Sequence, residues 1–272
     1  MRIDPHPVTS AEDPRVEDYL RLTDMDLRQS IESDRGFFMA EGHLIIERCA
    51  SLHLAFRSVL TSDRWLDRLG SSLESTDVRV LIADEDVLRD ITGYRVHRGA
   101  LAVVARPAVL TVAEVLAAER DVLVLEDLVD PTNVGLAVRS AVVQGVRGVI
   151  LSPGCADPLY RRAVKSSMGA VLRCRWARSD DWEATLGVLA GTRRLVALTP
   201  EGERDLDEAM HEAASDDVAL LMGSEGPGVS RVALGRAALR CRIPMASPDD
   251  SLNVAAATAV ACYSRAQARR DA

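Results

Sequence analysis

The sequence comprises 272 residues, of which 47% are apolar, 27% charged and 4% aromatic, and its formal net charge at pH 7 is −8. This composition is typical of a globular protein with one or two domains and argues against fibrous, disordered and membrane proteins. With no long apolar run and no apolar stretch in residues 1–10, we expect no membrane span, no signal peptide and a cytoplasmic location. Five cysteines without a C-x-x-C pair argue against a disulfide framework and against a metal site.

Residues 1–108 predict a small α/β domain, because strand-like and helix-like segments alternate. Its predicted elements are a polar helix near Val16–Ser33, an apolar run over residues 37–39, a helix near His43–Ser51, a strand over Phe56–Leu60, a helix near Ser62–Leu69, a strand over Val78–Ile82, a helix near Asp84–Ile91 and a strand over Leu101–Ala105. The pattern breaks around Arg106-Pro107, which predicts a domain boundary near residue 108.

Residues 109–272 show a clearer alternation of buried strands and helices, which predicts a second α/β domain. Its predicted elements are an amphipathic stretch over Val112–Glu119, strands at Val122–Leu125, Gly148–Leu151, Leu195–Leu198, Ala219–Met222 and around Ile243, a helix that starts near Asn133, and a helix from about Ser251 to Arg270. The first half of the last helix is apolar almost all round, so we expect it to be buried against other elements or a second subunit.

Three loops follow predicted strands, where ligands collect in α/β sheets. The first, over residues 130–139, contains Asn133, Gly135 and Arg139 in an N-x-G-x-x-x-R spacing. Asn133 is also a good helix N-cap type, and a close helix contact explains Gly135 equally well.

The second loop, over residues 223–228, holds three glycines in six residues and allows close approach of the backbone to a ligand. A tight turn without a ligand is the alternative. Neither the dinucleotide fingerprint nor the P-loop pattern is present, which disfavours dinucleotide and triphosphate ligands. The third loop joins residues 243–245 (I-P-M) to residues 251–254 (S-L-N-V), and its Ser251 and Asn253 could simply cap the following helix.

Taken together, the three loops resemble the three motifs of the SpoU/TrmH branch of the SPOUT RNA methyltransferases. Residues 165–169 (K-S-S-M-G) are similar to a further family element, and the resemblance covers about residues 120–265. More weakly, residues 36–42 (G-F-F-M-A-E-G) are similar to the start of the family's N-terminal substrate-binding domain, a ribosomal-protein-like α/β module.

The resemblance implies a catalytic domain over 109–272, with a parallel sheet and a deep C-terminal trefoil knot, preceded by an RNA-binding domain over 1–108. It also implies a homodimer that uses S-adenosylmethionine to methylate a ribose 2'-hydroxyl, in large-subunit ribosomal RNA rather than transfer RNA. A transfer-RNA methyltransferase, a base methyltransferase and a catalytically silent RNA-binding member are the alternatives.

The resemblance also implies the residues of the site. By position, the cofactor contacts are Leu198, Thr199, Gly223, Glu225, Gly226, Ile243, Met245 and Leu252. The implied catalytic group consists of the arginine Arg139, the supporting residues Asn133 and Glu225, and the polar pair Ser251 and Asn253.

Residues 139–178 carry a net charge of +7 within an acidic chain and include Lys165, the only lysine. We predict that this window contains an RNA-binding surface with Arg161, Arg162, Lys165 and Arg173, the alternative being solvated charge spread over several faces.

Two departures from the family pattern leave catalysis plausible: Lys165 stands where an arginine is common, and Ala255 where a serine is frequent. The basic residues usual near the first helix are replaced by Asp24, Asp26, Glu32 and Asp34, which bears on how RNA docks.

Overall fold

The computed structural model describes residues 5–23, 31–74, 76, 78–96, 99–247 and 251–272. The chain folds into two compact units, Met1–Ala108 with Leu159–Leu172, and Val109–Pro158 with Arg173–Ala272. The division near residue 108 lies where the sequence pattern breaks, but residues 159–172 pack with the first unit instead of the second. The assignment of RNA binding to one unit and catalysis to the other stays a prediction.

The first unit contains a five-stranded mixed sheet with the strand order β1-β4-β3-β5-β2. Up to residue 108 the elements are β1 (Pro5–Pro7), β2 (Phe37–Glu41), α1 (His43–Ser51), β3 (Phe56–Thr61), α2 (Asp63–Leu73), β4 (Arg79–Ile82), α3 (Glu85–Thr92) and β5 (Ala100–Ala105). Apolar side chains from several strands, including Phe37, Leu60, Leu81 and Leu101, are fully buried in one core. Strand β2 carries the apolar run predicted over 37–39.

The predicted helix over residues 16–33 is wrong over residues 16–23, whereas residues 31–34 are helical. A short 3-10 helix spans Pro14–Tyr19, and the backbone is already extended at Leu20. Arg21 then has a φ of 54°, a left-handed conformation that cannot continue a right-handed helix. Residues 24–30 lie outside the described part of the chain, and so do Asp24 and Asp26.

The remaining elements build the second unit, except for α6, which belongs to the first. They are α4 (Val112–Ala118), β6 (Val122–Leu125), α5 (Pro131–Val143), β7 (Gly148–Leu151), α6 (Arg161–Ser166), β8 (Arg175–Arg178), α7 (Trp182–Thr192), β9 (Arg194–Leu198), β10 (Arg204–Asp205), α8 (Leu206–Glu212), β11 (Val218–Met222), α9 (Arg231–Arg236), β12 (Leu239–Arg242) and α10 (Val254–Arg270).

The sheet of the second unit has seven strands in the order β10-β12-β9-β11-β6-β7-β8. Every strand pair in it is parallel, which confirms the predicted α/β fold with a parallel sheet. All residues of the central strands β6 and β11 are buried, as expected for apolar strands covered on both faces. Ile243 follows β12 directly instead of lying within a strand. The C-terminal trefoil knot stays a prediction.

Helix α10 packs against α5 and is anchored near its C-terminus by an arginine. Near its C-terminus Arg265 is 1% exposed, and its Nε donates to Asp121 Oδ2 at 3.0 Å while a terminal nitrogen donates to the Ala213 carbonyl at 2.7 Å. Arg265 thus ties α10 to the residue that precedes β6. No helix of the described residues is long and apolar enough to cross a membrane.

Candidate cofactor-binding and active site

A cavity of about 690 Å³ lies in the second unit, where the parallel strands β9, β11 and β12 end. Parallel strands bring their carboxyl ends to one edge of a sheet, so the loops that follow them meet there. All eight residues predicted to contact the cofactor line this cavity, namely Leu198, Thr199, Gly223, Glu225, Gly226, Ile243, Met245 and Leu252.

The lining of the cavity is apolar and negatively charged. It includes the carboxylates of Glu201 and Glu225, and no arginine, lysine or histidine among the described residues that line it. The Thr199 hydroxyl donates to Glu201 Oε2 at 2.6 Å, and this hydrogen bond lowers the pKa of Glu201 below its ordinary value. The apolar side chains of Met245 and Leu252 are 38% and 39% exposed at the cavity.

This chemistry fits S-adenosylmethionine. Its sulfonium is cationic and is favoured by carboxylates, whereas its adenine ring can cover the exposed apolar side chains. A phosphate-bearing dinucleotide meets neither a cation nor the expected glycine fingerprint here. Glu201 was not predicted from the sequence, although a carboxylate two residues beyond Thr199 in a loop after a strand was a usable signal.

The second of the three loops, residues 223–228, is the glycine-rich loop, and it is a tight turn that also lines the cavity. The Gly228 N–H donates to the Ser224 carbonyl at 3.0 Å, and Gly226 and Gly228 have φ angles of 87° and 70°. A Cβ at Gly223 would stand 2.1 Å from the Gly228 carbonyl carbon, so no larger residue fits at that position. The tight-turn alternative is therefore correct about the backbone, and the same turn forms part of the cavity wall.

Asn253 connects the three loops at the edge of the cavity. Its Nδ2 donates to Asn133 Oδ1 at 3.2 Å and also to Glu225 Oε1. Its side-chain oxygen accepts from the Ala255 N–H at 2.9 Å and caps α10. The fold thus brings together three of the five predicted catalytic-group residues, and Ser251 lines the same cavity as an exposed side chain.

The competing cap role for Asn133 is wrong. Asp130 caps α5 by accepting from the Thr132 N–H at 2.9 Å, and Pro131 occupies the first turn. Proline and aspartate are both favoured at these positions. Asn133 therefore lies inside the first turn of α5, which leaves its amide available to Asn253.

Arg139 is exposed on α5 and does not line the cavity within one chain. Six residues along a helix separate two side chains by about 120° around the axis and by about 9 Å along it, so Arg139 and Asn133 point in different directions. The catalytic role implied for Arg139 stays a prediction.

The predicted RNA-binding residues have different surroundings. In the first unit, Glu41 is buried and accepts from Arg161 at 2.8 Å and from Lys165 at 2.5 Å, and Arg161 also donates to the Tyr94 hydroxyl. This ion pair accounts for the charge of the largely buried Arg161. Arg162 and Arg173 are exposed. Among the described residues, no group of three histidine, cysteine, aspartate or glutamate side chains could hold a metal ion.

Comparison with known proteins agrees with this geometry. An uncharacterised tRNA/rRNA methyltransferase of Mycobacterium tuberculosis is 38% identical over 97% of this chain and 92% of its own length. The 23S rRNA (guanosine(2553)-2'-O)-methyltransferase RlmP of Bacillus subtilis is 26% identical over 94% of this chain and 97% of its own length. A crystal structure of an AdoMet-bound rRNA methyltransferase from Sinorhizobium meliloti superposes with a TM-score of 0.82 at 26% identity, covering 98% of each chain.

The family match covers residues 121–263, more than half of the chain, and includes all three loops around the cavity. It confirms the resemblance that the motifs N-x-G-x-x-x-R, G-S-E-G-x-G and S-L-N-V indicated. The chain belongs to the SpoU rRNA methylase family.

Proposed function

We propose that this protein transfers a methyl group from S-adenosylmethionine to a ribose 2'-hydroxyl of RNA, with large-subunit ribosomal RNA as its substrate. The observation that carries this proposal is the anionic cavity, lined by every predicted cofactor contact and bordered by the Asn133, Asn253 and Glu225 cluster. The 23S rRNA 2'-O-methyltransferase from Bacillus subtilis, similar over nearly the whole chain, supports the substrate.

Bound S-adenosylmethionine supplies an activated methyl group, and the protein supplies alignment and electrostatics. Glu201 and Glu225 hold negative charge at the cavity, and the apolar side chains at its rim exclude water from the ligand. Asn253 fixes Glu225 and Asn133 relative to each other. A ribose hydroxyl is a weak nucleophile until its proton is removed or shared.

We assign to Arg139 the orientation of the hydroxyl and the stabilisation of developing alkoxide charge. A guanidinium stays protonated at neutral pH and cannot act as the base, so an RNA phosphate is the proposed proton acceptor. Because Arg139 does not line the cavity of its own chain, this role needs a second surface that brings it to a cavity.

A second copy of the chain provides such a surface. Val143 on α5 and Val260 and Tyr263 on α10 are 67%, 39% and 52% exposed, and the two helices pack against each other. Exposed apolar side chains on two helices that pack together are typical of an interface. Arg139 and Val143 are four residues apart and therefore lie on the same side of α5. We propose a homodimer that places Arg139 against the partner.

The proposed function is tested by calorimetric titration with S-adenosylmethionine, followed by methylation of ribosomal and transfer RNA. Nuclease digestion and mass spectrometry of the nucleosides then place the methyl group on ribose or base. We expect binding and a ribose label in ribosomal RNA. A folded protein that binds no cofactor would support the silent RNA-binding alternative, and a label on the base would support base methylation.

The RNA target is tested in a strain that lacks the protein. We expect one ribose methylation of large-subunit ribosomal RNA to disappear when 2'-O-methylation is mapped across all ribosomal and transfer RNAs. Loss of a transfer-RNA methyl group instead would reassign the substrate, and an unchanged map would count against the proposed function.

A further inference from the structure

Glu126, the first residue after β6, carries a buried carboxylate whose contacts the proposed reaction does not use. Its side chain accepts three hydrogen bonds from neutral donors. The Trp182 Nε1–H donates to Oε1 at 2.5 Å, the Ser230 hydroxyl donates to Oε1 at 2.7 Å, and the Ser230 N–H donates to Oε2 at 2.8 Å. Glu126 is 3% exposed, and no ion pair of the described residues involves it.

A buried carboxylate is costly unless its oxygens are hydrogen-bonded. Three converging donors also require a group that only accepts, because an amide in the same place would turn its own N–H groups toward them. The position therefore requires a carboxylate.

The Glu126 carboxylate holds the C-terminal end of the glycine-rich loop, at Ser230. The loop leaves β11 after Met222, whose carbonyl accepts from the Glu126 N–H at 2.9 Å, and it ends at Ser230, which caps α9. Between these ends, Gly226 and Gly228 have positive φ angles, and a Cβ at either would meet no atom within 4 Å. Since glycines restrain the backbone weakly, the fixed ends contribute to the shape of this loop beside its internal Gly228–Ser224 hydrogen bond.

The backbone of Glu126 also begins the turn that leads to α5. The next residue, Asp127, has a φ of 55°, and its N–H and Oδ1 both bond the Ser152 hydroxyl, at 2.9 and 2.7 Å. This fixed turn continues to Asn133, whereas the loop held by the Glu126 side chain carries Glu225. Both of those residues bond Asn253.

We propose that Glu126 is a positioning residue for the cofactor cavity, whose carboxylate holds the glycine-rich loop in register with the turn before α5. The inference rests on the proposed function in that the ligand of the cavity is S-adenosylmethionine. Glu126 does not line the cavity, so it acts through the loop.

The test compares Glu126→Gln with Trp182→Phe, a matched control that removes one donor to the same carboxylate on the side of α7. We expect Glu126→Gln to raise the Kd for S-adenosylmethionine about tenfold. The methyl-transfer rate at saturating cofactor should stay within about threefold of the wild type, because no reacting group is lost. Trp182→Phe should lower the melting temperature but change the Kd less than about twofold. An unchanged Kd in Glu126→Gln, or an equal rise in both variants, would overturn the proposal.

Amide hydrogen exchange gives a readout that does not need the cofactor. Residues 224–230 should exchange faster in Glu126→Gln than in the wild type and in Trp182→Phe. Unchanged exchange there would contradict the proposal even if the wild-type protein bound no S-adenosylmethionine.

If Glu126→Gln does not fold, Ser230→Ala removes the hydroxyl that donates to Glu126 from the side of the loop, and Ser230→Thr is the control that retains the hydroxyl. We then expect a raised Kd in Ser230→Ala only, and an equal Kd in both would reject the role of Glu126.

Discussion

Asn253 has two functions that a single substitution can separate. Its oxygen caps α10, and its Nδ2 donates to Asn133 and Glu225. Aspartate is as good an N-cap as asparagine, but it places a second carboxylate beside Glu225. In Asn253→Asp we therefore expect an almost unchanged melting temperature and a decrease in methyl transfer of about 10- to 100-fold, as for a lost hydrogen bond to a charged group.

The comparison for this prediction is Asn253→Ala, which removes both functions. It should lose activity to a similar extent and also about 1 kcal/mol of stability, the usual cost of a lost cap. Thermal unfolding and single-turnover methylation measure the two effects separately. If Asn253→Asp keeps wild-type activity, the cluster of Asn133, Asn253 and Glu225 has only a structural role.

The buried cysteines give a prediction of thiol reactivity at a stated pH. Burial raises the pKa of the Cys49, Cys241 and Cys262 thiols to about 12. The thiolate is the form that reacts, so at pH 8 about one thiol in ten thousand is reactive at each of these positions. We expect iodoacetamide to leave all three unmodified at pH 8 in the folded protein and to modify them in denaturant, as measured by peptide mass spectrometry. Fast modification of the folded protein would show that these thiols are accessible.

At the scale of elements, the glycine-rich loop depends on Gly223. A methyl group there would lie 2.1 Å from a backbone carbon of Gly228, and backbone cannot move aside as a flexible side chain can. Gly223→Ala should therefore distort the loop and weaken S-adenosylmethionine binding by more than about tenfold. Calorimetric titration measures this effect.

The control for the loop is Gly187→Ala in α7, where the nearest atom to the new methyl group is a side-chain nitrogen of Arg236 at 3.8 Å. Alanine is favoured over glycine inside a helix by about 0.5–1 kcal/mol, so this variant should be slightly more stable and bind the cofactor normally. Equal cofactor binding by both variants would mean that the loop does not shape the cavity.

The elements that the sequence predicts best are those with strong local patterns. The strands β6 and β7 have the bounds that their short apolar runs predict, and all of their residues are buried. The strand β8 was missed because it lies at the sheet edge and is short, with an arginine at each end, and α7 was missed as well. The segment 159–172 joins the first unit through ion pairs with Glu41, a contact 120 residues away that no local pattern encodes.

The candidate site follows the same distinction. Motif resemblance gave eight predicted cofactor contacts that all line one cavity, because they lie at the ends of β9, β11 and β12 or in the loops that follow these strands of the same parallel sheet. The resemblance named Arg139 but did not predict that it lies outside the cavity of its own chain. Spacing along a helix gives the angle between two side chains but not which of them faces the cavity. Glu126 was missed as well, because its partners Trp182 and Ser230 lie 56 and 104 residues away.

For the whole molecule, the acidic net charge does not describe the window predicted to bind RNA, which is positively charged. The +7 window is divided between the two units, and Arg161 within it is committed to Glu41. Charge reversal at Arg161 would set two carboxylates together and destabilise the first unit. Arg173→Glu at an exposed position is the better test, and we expect weaker RNA binding with a smaller salt dependence and unchanged cofactor affinity. An unchanged salt slope would remove Arg173 from the RNA-binding surface.

The proposed dimer connects the exposed helix faces to catalysis. Tyr263→Glu introduces charge among the exposed apolar side chains of the proposed interface, so we expect a monomer in light scattering and little methyl transfer. Arg139→Ala should remain dimeric, because it leaves the exposed apolar side chains in place, but it should be inactive, because it removes the group proposed to stabilise the developing alkoxide.

Mixing two inactive variants shows where Arg139 acts. If it serves the cavity of the partner, a dimer of one Arg139→Ala chain and one Asn253→Asp chain contains one site with both residues intact. After subunit exchange at equal concentrations, half of the dimers are mixed, so about one quarter of the wild-type rate should return. No recovery would contradict action across the dimer, and a fully active Arg139→Ala would show that the guanidinium does not stabilise the reacting hydroxyl.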